Sequence, residues 1–362
     1  MKAYKLISKG NAAVVEVPKP ALRPDGVLVR VAYVALNPTD WKHVRETEVR
    51  GGAALTVGCD FAGVVEEVGA AVARPGGLRP GDRVCGMVHG THTLRPEDGA
   101  FAEYLVAKPD LLLPIPDHMG FPEAATLGVQ VYTVGQGLFQ SLGLPWPTEP
   151  LKSEDRFPIL IYGGSTAMGT LGIQMAKLSG LEVITTCSPH NFDLVKSLGA
   201  DKAFDYRTPD VGAAIREYTN NRLRHVWDTI GGPGAEQICA DALSSSSSSS
   251  PEPGAAPLRY SAITGSGVLP RADVQADITL AYTAHGEACE VWGGKIRLEA
   301  RPEDLEFARR WGSLAARLFA EKKVVPHPAE IRGGLDDITA GLRDLEEGRV
   351  SGKKLVYRVA DL

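Results

Sequence analysis

From Ile159 to Gly180 the chain reads ILIYGGSTAMGTLGIQMAKLSG, an apolar run that meets two glycines and then takes up helical spacing. A strand ending in glycine and restarting as a helix gathers main-chain N–H groups at the helix N-terminus, where a phosphate can approach the backbone closely. Gly163, Gly164, Ser165, Thr166, Ala167 and Met168 are therefore candidate phosphate-binding residues. GGSTAMG is not a clean G-x-G-x-x-G, so its weight comes from its surroundings. About twenty residues past Gly169, where an NAD-binding chain usually carries Asp or Glu for the ribose hydroxyls, stands CSPHN. Its Ser188, His190 and Asn191 offer hydrogen-bond donors without a repelling carboxylate, a setting that accepts a 2′-phosphate and favours NADP(H) over NAD(H). The competing reading is that Ser188 and Asn191 only cap the helix beginning near Phe192. Tyr206, closing a strand in FDYRT, is a candidate to cover the adenine or reach the same phosphate.

Other chemistries find less support. His89 and His92 in HGTH suggest a metal, but no further ligand cluster accompanies them, so no metal is expected. No G-x-S-x-G elbow supports a hydrolase. Five scattered cysteines form no C-x-x-C pair and read as reduced, buried small hydrophobes.

These residues need a scaffold, and two patterns supply it. From the N-terminus to about Leu127, short Val-, Ala- and aromatic-rich runs such as VLVRVAYVALN and FAGVVEEVG are cut by Gly and Pro, as in a compact barrel-like domain. Between Phe157 and Ile263 apolar runs alternate with helix-length segments, the signature of a parallel sheet with helices on both faces. Gly169, Gly172 and Ala176 share one face of the first such helix and let it approach the sheet. The Ser-rich stretch 244–257 interrupts the rhythm and is expected to be a surface loop without a catalytic role. After Gly293, helical segments lead to a final strand, KKLVYRV.

Composition is consistent with a globular enzyme of 362 residues, 44% hydrophobic and 23% charged. A net charge of −5 argues against nucleic-acid or anionic-membrane partners. Without a signal-like start or a long apolar run, the expected location is the cytoplasm.

GCDFAGVVEEVG, PGDRVCG, GAFAEYLVAKPD, AATLGVQVYT and YGGSTAMG resemble, in order and spacing, the medium-chain dehydrogenase/reductase superfamily over essentially the whole chain. Within it, YGGSTAMG, TCSPHNFDLVKSLGADKAFDYRTPD and VSGKKLVYRV are most similar to the trans-acting enoyl reductases that serve fungal highly reducing polyketide synthases. The resemblance implies an α/β protein: a GroES-like β-rich catalytic domain at 1–128, a Rossmann doubly wound parallel-sheet cofactor domain at 129–293, and a segment at 294–362 that completes the catalytic domain. It implies NADPH as cofactor and, as partner, a polyketide synthase whose acyl carrier protein bears the α,β-unsaturated thioester. GCDF occupies the region where zinc-dependent members carry Gly-His-Glu, and their four-cysteine cluster is missing, so the usual zinc ligands are lacking.

The same resemblance places Lys42, Thr39 and Thr133 in the catalytic role, and Pro38, Asp40, Trp41, Ile263, Thr264, Val350 and Ser351 among the cofactor contacts. Enoyl reduction needs a hydride at the β-carbon, stabilisation of charge on the thioester oxygen and a proton at the α-carbon. Lys42 is the candidate for the last two, as proton donor or, with water supplying the proton, as carbonyl polariser, against the bland alternative of a solvated surface lysine. Thr133 is either a carboxamide- or carbonyl-orienting hydroxyl or a helix threonine bonding its own backbone. Ala167 replaces a glycine common in the family, the mildest intrusion on a pyrophosphate. The resembled enoyl reductases act as monomers whereas related quinone reductases are commonly dimers, and a monomer is expected here. Two other functions stay open: a quinone or enone reductase acting on free small molecules, and a non-catalytic cofactor-binding accessory of a synthase.

Overall fold

The Val- and Ala-rich runs of the N-terminal third fold into antiparallel sheet, most of their residues buried. A computed structural model describes residues 1–245 and 257–362, so most of the Ser-rich stretch expected as a loop lies outside the described residues. The chain divides into two units, one formed by Met1–Tyr132 with Tyr282–Leu362 and the other by Thr133–Ala281.

In the first unit a seven-stranded sheet runs in the order Ala329–Gly334, Lys354–Arg358, Val27–Ala35, Asp60–Val68, Arg83–Met87, Leu112–Pro114, with Tyr104–Ala107 also pairing Val27–Ala35. All its pairings are antiparallel except that between Ala329–Gly334 and Lys354–Arg358. The final strand, expected from KKLVYRV, thus lies beside Val27–Ala35 and closes the β-rich domain. A three-stranded sheet of Asn11–Glu16, Lys2–Ser8 and Leu55–Thr56 packs its Tyr4 and Leu6 into a core shared with Val29, Val31, Phe61, Phe101, Leu355 and Tyr357. Residues from Tyr282 onward belong to this unit, whereas the sequence division put the return at 294. Side chains fix the earlier boundary: Tyr282 bonds Thr39, and Glu287 pairs with both Arg95 and Lys108.

The second unit is built on a six-stranded sheet, every pairing parallel, in the order Lys202–Phe204, Glu182–Thr186, Pro158–Tyr162, His225–Asp228, Leu258–Ala262, Val274–Ile278. Numbered along the unit, that order is 3-2-1-4-5-6, the doubly wound dinucleotide-binding arrangement. Helix Ala167–Leu178 follows the central strand and presses on the sheet at its glycines: a Cβ on Gly172 would come within 2.5 Å of Trp227, and one on Gly169 would strike the Gly163 carbonyl. The five cysteines are free and buried, as their scatter suggested. No helix among the described residues is long and apolar enough to cross a membrane.

Candidate active site

The glycine turn sits at the carboxyl end of the central strand, between Tyr162 and helix Ala167–Leu178. Gly163 has φ +86°, and a Cβ there would lie 2.5 Å from the Thr229 hydroxyl. A Cβ on Gly164 would strike Thr185. Thr166 caps the helix by accepting the Gly169 N–H at 2.9 Å. The Gly163 and Gly164 amides are spent on Thr186, while those of Ser165 and Met168 have no acceptor within the described residues. A bare cradle ending in unspent amides at the positive end of a twelve-residue helix fits the diphosphate of a dinucleotide. Ser165, Thr166, Ala167 and Met168 would hold it.

The second strand ends just before CSPHN, where Pro189–Asn191 form one 3-10 turn leading into helix Phe192–Ser197. Neither Ser188 nor Asn191 caps that helix through its side chain, so capping does not account for them. Ser188 is half-buried and His190 exposed, whereas Asn191 is buried. Tyr206, 41% exposed after the third strand, has the Arg207 guanidinium 5.7 Å from its ring. Ile263 and Thr264 follow the fifth strand, both half-buried. Thr133 opens the second unit within helix Gly128–Val134 and is nearly fully buried.

In the first unit the candidate chemistry sits on helix Pro38–Glu46. Asn37 begins it in extended conformation, Pro38 supplies the preset φ of a first helical residue, and the Asp40 carboxylate takes the Asn37 N–H at 2.7 Å. Asp40 is buried, with one carboxylate oxygen spent on its own helix. Its second oxygen has no partner, and burial raises its pKa to about 7. Lys42 is half-buried, its ammonium 5.7 Å from the Trp41 ring centre, and no carboxylate among the described residues pairs with it. Burial lowers its pKa from the ordinary lysine value. An unpaired, partly desolvated ammonium costs stability unless a ligand's negative charge uses it. Val350 packs against the β-rich core, and Ser351 is exposed before the last strand.

Sequence reasoning named Thr39 but missed the buried side chains linked to it. The Thr39 hydroxyl lies 2.8 Å from the Tyr282 hydroxyl, which lies 2.8 Å from His43 Nε2, and His43 Nδ1 meets the Thr91 hydroxyl. Tyr282 is some 240 residues along the chain from its partners, beyond the reach of any motif. The local signal for Thr91 is HGTH, in which it precedes the second histidine.

Zinc does not fit the residues present. His43 has both ring nitrogens engaged, and Cys59, whose thiol burial pushes up, is 3.9 Å from the Tyr282 hydroxyl. Among the described residues no three His, Cys, Asp or Glu side chains are grouped to hold a metal ion.

Comparison with known proteins bears on this arrangement. Residues 23–117 match the alcohol dehydrogenase GroES-like domain, and residues 167–245 match the zinc-binding dehydrogenase family. The chain is 44% identical to trans-enoyl reductase resD of Aspergillus sclerotiorum, over 99% of this chain and 100% of that one. It is 50% identical to trans-enoyl reductase TOXD of Cochliobolus carbonum, over 81% of this chain and 92% of the relative. Among solved structures, the CurK enoyl reductase superposes with a TM-score of 0.75 at 20% identity, covering 99% of both chains. A putative zinc-dependent alcohol dehydrogenase from Rhizobium etli gives 0.78 at 24%, covering 100% of this chain and 99% of the other. At those identities the two structures speak for the fold alone.

Proposed function

Since this chain belongs to the trans-enoyl reductases of the medium-chain dehydrogenase/reductase superfamily, we propose that it reduces the α,β-double bond of a polyketide thioester carried by a synthase's acyl carrier protein, with NADPH as reductant. The observation that carries the reading is Lys42: a half-buried ammonium without a carboxylate partner, on a helix whose N-terminus is locked by Asn37 and Asp40.

When bound, NADPH supplies the hydride that the β-carbon requires. The main-chain turn at Gly163–Met168 would hold its diphosphate, Ser188 and His190 would receive the 2′-phosphate, and Tyr206 would cover the adenine or reach that same phosphate. Asn191, Ile263, Thr264, Val350, Ser351, Pro38, Asp40 and Trp41 complete the proposed contacts, and Thr133 orients the carboxamide. As hydride arrives, negative charge develops on the thioester oxygen. The Lys42 ammonium stabilises that charge, and its lowered pKa also makes it a better proton source for the α-carbon than a solvated lysine. Lys42→Arg separates the two roles, because a guanidinium keeps the charge but does not give up its proton.

The protein acts as a monomer in the cytoplasm, meeting the synthase through its carrier domain. The test follows NADPH oxidation with an enoyl thioester on a carrier protein, the same acyl group on a short thiol, and simple quinones. Turnover concentrated on the carrier-bound substrate supports the proposal. Preference for quinones replaces it with a small-molecule reductase, and tight NADPH binding without turnover on any substrate makes the chain an accessory protein.

A further inference from the structure

We propose that Tyr282 and His43 are positioning residues that leave the Thr39 hydroxyl able only to accept a hydrogen bond from a ligand, so that Thr39 serves the dinucleotide and not the thioester carbonyl. Proton direction is set from the buried end of the array Thr91–His43–Tyr282–Thr39. The Gly90 carbonyl can only accept, so the Thr91 hydroxyl, 2.6 Å away, spends its one proton there. Thr91 therefore accepts from His43 Nδ1, which must carry the ring's proton. His43 is buried and neutral, its pKa pushed down to about 3 by desolvation, so Nε2 is an acceptor and the Tyr282 hydroxyl donates to it. Tyr282 then has only lone pairs for Thr39, whose proton goes inward. What Thr39 turns outward is acceptor capacity.

The arrangement is held at a cost. Thr91 has φ +57°, a left-handed conformation unfavourable for a β-branched residue, and its amide is tied to Thr56 O at 2.6 Å. Gly90 fits there because a Cβ would strike the Gly58 carbonyl. The array also ends on a carbonyl, so it has no proton to import and sets polarity without conducting protons.

The consequence divides labour along one helix. The reacting end of an enoyl thioester offers only acceptors, so an acceptor-only Thr39 cannot stabilise its developing charge, which falls to Lys42. The dinucleotide presents N–H and O–H donors in its carboxamide and ribose, the chemistry Thr39 can meet.

This inference rests on the proposed use of NADPH, and the experiment separates the two. NADPH affinity is measured by fluorescence titration for wild type, Tyr282→Phe, Thr39→Val, Thr39→Ser and the double variant Thr39→Val/Tyr282→Phe, with thermal melts as a folding control and KM for the enoyl thioester as a second readout. Expected are a roughly 3- to 10-fold loss of NADPH affinity in Tyr282→Phe, near-wild-type affinity in Thr39→Ser, an unchanged thioester KM, and no further loss when Tyr282→Phe is added to Thr39→Val. An equal loss in both backgrounds overturns the proposal, because Tyr282 would then act independently of Thr39. Unchanged affinity in Tyr282→Phe also overturns it. Wild-type protein that binds no NADPH would instead remove the functional reading beneath it.

Discussion

Lys42 is the residue on which the proposed chemistry leans most. Removing its ammonium as Lys42→Ala should lower turnover by ~10²- to 10⁴-fold while leaving NADPH affinity nearly intact, measured by steady-state rates beside a binding titration. Burial disfavours the charged form, so its folded pKa lies below the ordinary ~10.4. Activity that needs the ammonium therefore falls as pH rises through that lowered pKa. A pH–rate profile should show this alkaline limb in wild type and lose it in Lys42→Arg. At the adenosine end, Ser188→Asp places a carboxylate where a 2′-phosphate is proposed, and the ratio of NADPH to NADH kcat/KM should drop roughly tenfold or more. The glycine turn and CSPHN are short local patterns at strand–helix junctions, and both stand at the ends of parallel strands; Lys42 carries no such pattern and entered through the resemblance alone. Tyr282 and His43 were not legible in the sequence, since their significance arises only where distant segments meet.

At the scale of elements, helix Pro38–Glu46 is aimed by a buried ion pair. Lys354, on the last strand, contacts Asp60 on the strand Asp60–Val68, and both side chains are almost fully buried. Asp60 also accepts from Asn37 Nδ2 at 2.9 Å and from the Val129 N–H at 2.6 Å, tying the N-termini of two helices to one carboxylate. Lys354→Met strands that carboxylate and should cost about 3–5 kcal/mol in chemical denaturation, whereas Asp60→Asn/Lys354→Met should recover much of the loss. Sequence reasoning saw the elements but not this link. KKLVYRV was legible as a strand and GCDF as a departure from zinc-ligand chemistry, but pairing of residues 294 positions apart leaves no local trace. The parallel sheet was legible because strand–helix alternation has a period, and the glycine face of its first helix because small residues recur every three to four positions.

For the molecule as a whole, acid sensitivity follows from its histidines. His43, His89, His92, His225, His285 and His327 all have pKa values depressed by burial, with His92, His225 and His327 near 4 and His43 and His285 near 3. Unfolded histidine titrates near ~6.5, so below that pH the unfolded chain binds more protons and stability falls as pH drops. Asp40, Asp98 and Asp228, with raised pKa values, act in the opposite sense but are fewer. The melting temperature should therefore be lower at pH 5 than at pH 7, by differential scanning calorimetry.

Hydride transfer to a carrier-bound enoyl thioester is the claim on which the other roles depend. Its most direct measurement uses NADPH deuterated at the transferable position, with the product's label located by mass spectrometry. The account predicts deuterium at the β-carbon of a saturated thioester, matched one for one by NADPH oxidised. A thioester left unsaturated while NADPH is bound, or saturated without label, would contradict it.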